Sequence, residues 1–208
     1  DVTMVEGTSV LGGYDCTSWT ITAGRITGIQ DVDDDGVTFP AGITSATVLD
    51  RMTVDGFDRA GGASSTTAIT ITNSSPTLSG DTVRAGDAAT AIGLRVVETA
   101  GATAAPSITG GAYSALGVAG GTSVAVSLEA SSPAFRMVAI GGGASGVGGG
   151  LPATAYGVRC TDCGGTSFTG GTVNTGGATT TGYGFHGTGA LDRLTASTTT
   201  FGGGSTST

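Results

Sequence analysis

Three aspartates alternate along a short acidic stretch of the sequence, Asp31, Asp33 and Asp35, and Gly36 follows them. Alternate carboxylates can converge on one hard cation such as Ca²⁺ while the glycine makes the turn. The spacing matches only the front half of a calcium loop, because Gly42 stands where the bidentate glutamate would be. Other oxygen ligands would have to complete the site. Two interpretations stay open, a Ca²⁺ site and an acidic surface turn.

The cysteines form one C-x-x-C pair, Cys160 and Cys163, with Cys16 as the third. Zinc needs about four ligands, and only His186 could join, so the sequence does not favour zinc. A redox-active pair would need a helix N-terminus in a thioredoxin-like context, which the sequence does not predict. For an exported chain we expect a local disulfide at a corner, with Cys16 free or paired with another chain. Two buried thiols are the alternative.

The only histidine, His186, is expected on a strand and facing solvent. No G-x-S-x-G sequence marks a nucleophile for a serine triad. Two carboxylates that cleave a glycosidic bond lie roughly 5 to 10 Å apart. The acidic stretch and His186 are instead separated by about five predicted coils of about 4.8 Å each. The arginines are scattered and predict no lyase site. We therefore expect a protein that is not an enzyme.

The composition excludes several classes of partner. The chain has 208 residues, of which 40 are glycine, and a formal net charge of -8, with arginine supplying every basic residue. This charge argues against nucleic acid and against an anionic membrane surface. No run approaches the 18 apolar residues of a membrane span, so no membrane insertion is expected. Because charged residues make up only 12% of the chain, an ordered, turn-rich β protein fits better than disorder.

Short apolar segments recur along the chain with variable spacing. The segments A-I-G-L-R-V at 91–96, A-Y-G-V-R-C at 155–160 and T-G-Y-G-F-H at 181–186 resemble one another. Five recurring segments each have one apolar anchor residue, and successive anchors are separated by 23, 32, 32 and 27 residues. We expect these anchors to stack as one internal column: Ile71, Leu94, Val126, Val158 and Phe185.

A second pattern follows each anchor, in which two apolar residues flank four others. It occurs at 78–83, 108–113, 135–140 and 168–173, often with Thr-Gly-Gly in the middle. Recurring strands joined by connections of variable length are typical of a solenoid, in which insertions are tolerated at corners. A β-sandwich also gives short, regularly spaced strands, but it does not predict a motif shared between coils. The sequence favours an all-β, single-chain, right-handed parallel β-helix of about five or six coils.

Several segments carry a family resemblance: ITITNSSPTLSGDTV, AIGLRVVE, SLEASSPAFRM, AYGVRC and the recurring Thr-Gly-Gly. They resemble the repeats of secreted and surface right-handed β-helix proteins of bacteria. The segment Gly12-Gly13-Tyr14-Asp15 with Trp19 is similar to one that precedes the coils in large surface β-helix proteins of myxobacteria-like organisms. The resemblance implies an extracellular, cell-surface protein. It leaves function open, since the family includes lyases, adhesins and structural proteins.

We expect two regions, an irregular N-terminal capping segment over residues 1–40 and the β-helix over 41–208. No comparable cap is predicted at the C-terminus, so the chain either continues or stacks on a further subunit. We therefore expect a structural protein, a filament subunit or rigid surface spacer, whose partner is a second copy. The alternative is a carbohydrate-binding or carbohydrate-cleaving module with a polysaccharide partner. No cofactor is expected apart from the possible Ca²⁺.

Overall fold

A computed structural model describes residues 2–15, 17–22, 27–31, 35–56, 65–86, 88–145, 150–191 and 194–203, and within them the chain forms β-strands and no helix. The strands pair side by side in parallel, coil upon coil. The prediction of an all-β parallel solenoid is confirmed. No helix in the described residues is long and apolar enough to cross a membrane.

Each coil contributes strands to three faces. Face one is a sheet of seven strands: β1 (Val2–Thr3), β4 (Asp35–Phe39), β7 (Thr66–Thr72), β10 (Thr90–Val97), β13 (Thr122–Glu129), β15 (Thr154–Thr161) and β17 (Thr181–Thr188).

Faces two and three belong to a second sheet that bends at a corner. Face two holds β2 (Ser9–Leu11), β5 (Val48–Asp50), β8 (Thr77–Ser79), β11 (Ser107–Thr109) and β18 (Thr195–Ser197). Face three holds β3 (Thr27–Asp31), β6 (Met52–Gly56), β9 (Thr82–Ala85), β12 (Ala112–Gly117) and β19 (Thr200–Gly202). Two longer strands, β14 (Ala134–Ser145) and β16 (Ser167–Asn174), pass through the corner and pair on both faces.

The core consists of columns of side chains, one column behind each face. Alternate residues of a strand point to opposite sides, so in-register parallel pairing stacks equivalent apolar residues. The column of face one is Val2, Val37, Ile69, Leu94, Val126, Val158 and Phe185. The column of face two is Val10, Leu49, Leu78, Ile108, Phe135, Phe168 and Ala196. The column of face three is Ile29, Val54, Val83, Tyr113, Ile140, Val173 and Phe201.

One member of the expected column is misplaced by two residues. Leu94 pairs with Ile69, whereas Ile71 pairs with Val96 and lies in the neighbouring column. Both isoleucines are fully buried. A shift of two residues keeps every side chain on the same side of a strand, so the apolar pattern cannot distinguish the two registers. The other four anchors pair with one another as expected.

The segment 1–40, expected to be irregular, contributes strands to all three faces. β1 and β2 pair in parallel with β4 and β5, and β3 pairs with β6. The irregular part is shorter, an excursion between β2 and β3 in which Tyr14 and Ile21 form an antiparallel bridge. Trp19 lies on this excursion and is 76% exposed. A capping role for the segment stays a prediction.

The corner between faces two and three repeats in each coil from β5 onward. The turn begins with a residue of positive φ in each of these coils: Arg51, Gly80, Gly110, Met137, Gly170 and Thr198. In two coils the following glycine, Gly111 or Gly171, has positive φ as well. The corners also bond to one another, since the N–H of Gly80 donates to the carbonyl of Thr109 at 2.9 Å. The recurring Thr-Gly-Gly therefore marks this corner. Glycine suits it because residues with a Cβ are disfavoured in the left-handed region.

Candidate functional site

A row of polar side chains runs across the coils on the outside of face one. The row is Thr38, Thr70, Arg95, Ser127, Arg159 and His186, each paired in register with the next. Each residue directly follows an inward anchor, so strand alternation places it on the opposite side. The last members bring a guanidinium and an imidazole onto adjacent strands, β15 and β17.

Two arginines of this row have different partners. Arg95 forms a bidentate ion pair with Glu129, in which Nε and Nη2 donate to the two carboxylate oxygens at 3.0 and 2.9 Å. Arg159 donates from Nη2 to the hydroxyl of Ser127 at 3.2 Å. A guanidinium has five N–H groups in a fixed fork, so Arg159 keeps further donors for other partners. Ser127 is fully buried.

Two tyrosines form an aromatic platform beside the end of this row. The rings of Tyr156 and Tyr183 stack with centroids 5.3 Å apart and planes 13° from parallel. The His186 ring contacts both, at 5.5 Å from Tyr156 and 4.8 Å from Tyr183. Tyr183 is 36% exposed. The platform therefore presents an aromatic surface next to the imidazole.

A groove adjoins His186. Its volume is about 490 Å³, and its polar lining comprises Glu129, Arg159, Thr161, Asp162, His186 and Thr188. Asp162 sits at the corner after β15 with φ 54°, and its Oδ1 accepts a hydrogen bond from the N–H of Ala190 at 2.8 Å. That bond fixes the carboxylate at the edge of the groove. The groove thus brings together N–H donors, carboxylate acceptors and hydroxyls.

The predicted site residues are distributed as follows. His186 lies on the outward row and is half-buried, and its buried Nδ1 has no hydrogen-bond partner among the described residues. Cys160 and Cys163 form a disulfide, with both residues fully buried and their Cα atoms 5.8 Å apart. Cys16 lies outside the described residues.

The calcium hypothesis rests on residues that the structure does not describe in full. Asp33 lies outside the described residues, and so do the side chains of Asp31 and Asp35, whose backbones end β3 and begin β4. The hypothesis stays a prediction. Among the side chains that the structure does describe, no group of three or more His, Cys, Asp or Glu could hold a metal ion.

The sequence analysis missed the groove and platform, although the repeats contain a signal for them. In A-Y-G-V-R and G-Y-G-F-H, a tyrosine and a basic residue stand at the same two places of the motif. Because coils stack in register, residues at equivalent positions of the repeat become neighbours in space. Side chains that recur at polar places of a solenoid motif therefore indicate a lateral surface site.

A second missed feature is the fully buried Asp81. It stands in Leu78-Ser-Gly-Asp where two other coils have glycine, at Gly111 and Gly171. Its Oδ1 accepts a hydrogen bond from the N–H of Met52 at 2.9 Å, and its Oδ2 accepts one from the N–H of Ser79 at 3.2 Å. Burial raises the pKa of Asp81 to about 7. An aspartate at a position where other coils have glycine was the signal for this feature in the sequence.

Comparisons with protein-family models, with curated proteins and with solved structures each found no match for this chain.

Proposed function

We propose that the chain is a rigid extracellular structural unit that associates with further copies of itself through the strand edges of its solenoid. The observation that carries the proposal is that all three apolar columns continue to the edge strands. At one edge they end in Val2, Val10 and Ile29, and at the other in Phe185, Ala196 and Phe201. Each edge therefore presents the cross-section of the core.

The exposure of the second edge supports further stacking. Phe201 is 41% exposed, and Ala196 is exposed as well. Buried members of the same columns, Val173 and Phe168, are 1% and 2% exposed. An open strand edge offers unpaired N–H and C=O groups to another chain. A second copy adds both missing backbone partners and apolar cover when its first coil lies on the last coil of its neighbour.

The two edges carry the same three columns in the same order. In a head-to-tail stack, Val2 of one copy extends the column that ends in Phe185, and Ile29 extends the column that ends in Phe201. The same step places Val10 over the small side chain of Ala196. Such a contact joins two different surfaces and does not close on itself, so it generates a filament.

An extracellular location is supported by the disulfide at Cys160 and Cys163. Disulfides persist in oxidising compartments and are rare in the cytosol. Here the bond closes a corner of the solenoid, where the chain leaves β15 after Thr161. A rigid rod with a locked corner suits a surface spacer.

The experiment introduces a charge into one apolar column at the open edge. In the Ala196→Lys variant an ammonium group stands where the next layer would cover it, and inward charges at edges block pairing. Ser197→Lys on the same strand is the matched control, since its side chain points away from the core column. Sedimentation velocity and negative-stain electron microscopy measure association, and circular dichroism measures folding.

We expect the wild type and Ser197→Lys to form concentration-dependent rods and Ala196→Lys to remain monomeric with an unchanged spectrum. A wild type that stays monomeric at all concentrations, or a folded Ala196→Lys variant that associates like its control, contradicts the proposal.

A further inference from the structure

We infer that the groove at His186, together with the tyrosine platform that His186 contacts, is a binding site for a neutral sugar. Tyr183, His186 and Thr188 belong to β17, the edge strand that the proposed stack would pair. The sugar site uses outward side chains of that strand, whereas stacking uses its backbone edge and its inward column. The Ala196→Lys variant therefore tests stacking without altering a residue of the sugar site.

The aromatic platform provides the flat apolar surface that one face of a sugar ring requires. Tyr156 and Tyr183 are stacked, and His186 braces both rings from the side. These contacts hold the rings in place before a ligand arrives, which lowers the entropy lost on binding. Tyr183 keeps 36% of its surface exposed, so a ligand can reach it.

The groove next to the platform supplies hydrogen bonds of both kinds. Arg159 and His186 are neighbours in one row across the coils, and Glu129, Thr161 and Thr188 form the next row, two residues further along each strand. Asp162 follows at the corner after β15. A sugar hydroxyl both donates and accepts a hydrogen bond. Neighbouring hydroxyls on a ring therefore match a row of N–H donors that lies beside a row of carboxylate and hydroxyl groups. A few convergent polar groups beside an apolar surface are typical of small-molecule sites.

The charges of the groove favour a neutral ligand over an ionic one. Both oxygens of Glu129 are bound by Arg95, so that carboxylate is already neutralised. The remaining charges, on Arg159 and Asp162, have opposite signs. An anion would meet Asp162 and a chain of net charge -8, and a cation would meet Arg159. A ligand without charge avoids both repulsions and still uses both groups.

The unique histidine makes the test direct. His186 is the only histidine in the chain, so its imidazole C–H signal in a proton NMR spectrum is assigned without further work. The probes are glucose, galactose and mannose, each added at millimolar concentrations, together with glucuronate as the charged analogue. The only tryptophan, Trp19, lies on the excursion of the first coil and serves as an internal reference signal.

We expect at least one neutral sugar to shift the His186 signal in a saturable way and to leave the Trp19 signal unchanged. Arg159→Gln removes a charged donor, and such hydrogen bonds are strong enough for an affinity loss of about tenfold. Tyr183→Ala removes the platform and should weaken binding to a similar degree. Arg84→Gln, which alters an arginine on face three, is the matched control and should bind like the wild type.

Three results overturn the inference. The first is a His186 signal that no neutral sugar moves. The second is binding that Arg159→Gln and Tyr183→Ala both leave unchanged while the variants remain folded. The third is tighter binding of glucuronate than of every neutral sugar, which would make the site an anion site.

Discussion

The carboxylate of Asp81 accepts the backbone N–H of Met52 at 2.9 Å, and so joins two successive coils at their shared corner. The acceptor is fully buried. Burial raises the pKa of Asp81 to about 7, although the hydrogen bonds from Met52 and Ser79 oppose that shift. One buried acid therefore couples the stacking of coils to pH.

Stability should fall as the pH rises towards neutrality because of Asp81. Its pKa is about 3.8 in the unfolded chain and about 7 in the folded one. Between these values the folded chain holds a proton that the unfolded chain has released. Each pH unit in this window then costs about 1.4 kcal/mol, up to about 4 kcal/mol in total. The contribution is constant below the window and fully lost above it.

The Asp81→Asn variant isolates this effect from other titrating groups. Urea denaturation of both proteins from pH 4 to pH 8 gives the difference in their unfolding free energies at each pH. We expect the difference to shift steadily in favour of the variant as the pH rises. A difference that does not change with pH contradicts the assignment.

Removal of the disulfide should weaken the last coils. It closes a loop of only a few residues, so the loss of chain entropy in the unfolded state corresponds to about 2 kcal/mol. The double variant Cys160→Ala/Cys163→Ala should unfold at a correspondingly lower urea concentration, and a reducing agent should no longer affect it. Intact-mass analysis under native and reducing conditions checks the bond itself. Equal stability of variant and wild type would refute this prediction.

Two glycines with the same backbone conformation should differ in their tolerance of alanine. Gly101 and Gly111 both have φ +84°. A Cβ at Gly101 meets nothing within 4 Å, whereas one at Gly111 lies 2.8 Å from the backbone N of Asp81. We expect Gly101→Ala to cost about 1 kcal/mol from its backbone conformation alone. Gly111→Ala should cost about 3 kcal/mol or more, because two coils must separate. Equal costs in thermal denaturation would show that the coils are not in close contact there.

Two phenylalanines should report the difference between the core and the open edge. Phe168 is 2% exposed and stacks on Phe135 at 4.9 Å, whereas Phe201 is 41% exposed. Phe168→Ala should cost about 3 to 5 kcal/mol, as for other buried aromatics. Phe201→Ala should cost about 1 kcal/mol in dilute, monomeric protein. A larger loss at Phe201 than at Phe168 would mean that β19 is not an edge strand.

The fold could be predicted because its columns are repeated in the sequence. Leu94, Val126, Val158 and Phe185 pair as their shared motifs indicate. The register at Ile71 could not be predicted, since Ile69 satisfies the same alternation two residues earlier. The first coil escaped detection for a different reason. Its strands β1 and β2 have two and three residues, too few to show a period, and an excursion separates β2 from β3.

The groove and platform were less predictable than the fold. The sequence places Arg159 and His186 at equal positions of the repeat, which fixes their proximity. It does not fix which neighbour each side chain binds. Arg95 turns to Glu129, whereas Arg159 turns to Ser127, although both occupy the same place in the coil. That choice depends on the residues of the adjacent coils, and so it requires the three-dimensional structure.

The most direct test of the central claim is fibre diffraction or cryo-electron microscopy of the assembled protein. Head-to-tail stacking of coils predicts a reflection at about 4.8 Å along the filament axis, with the strands perpendicular to it. Face one contributes seven strand layers per chain, so each subunit should add about 34 Å to the filament at that spacing. Filaments whose strands run along the axis, or whose subunit repeat departs from this length, would contradict stacking through the strand edges.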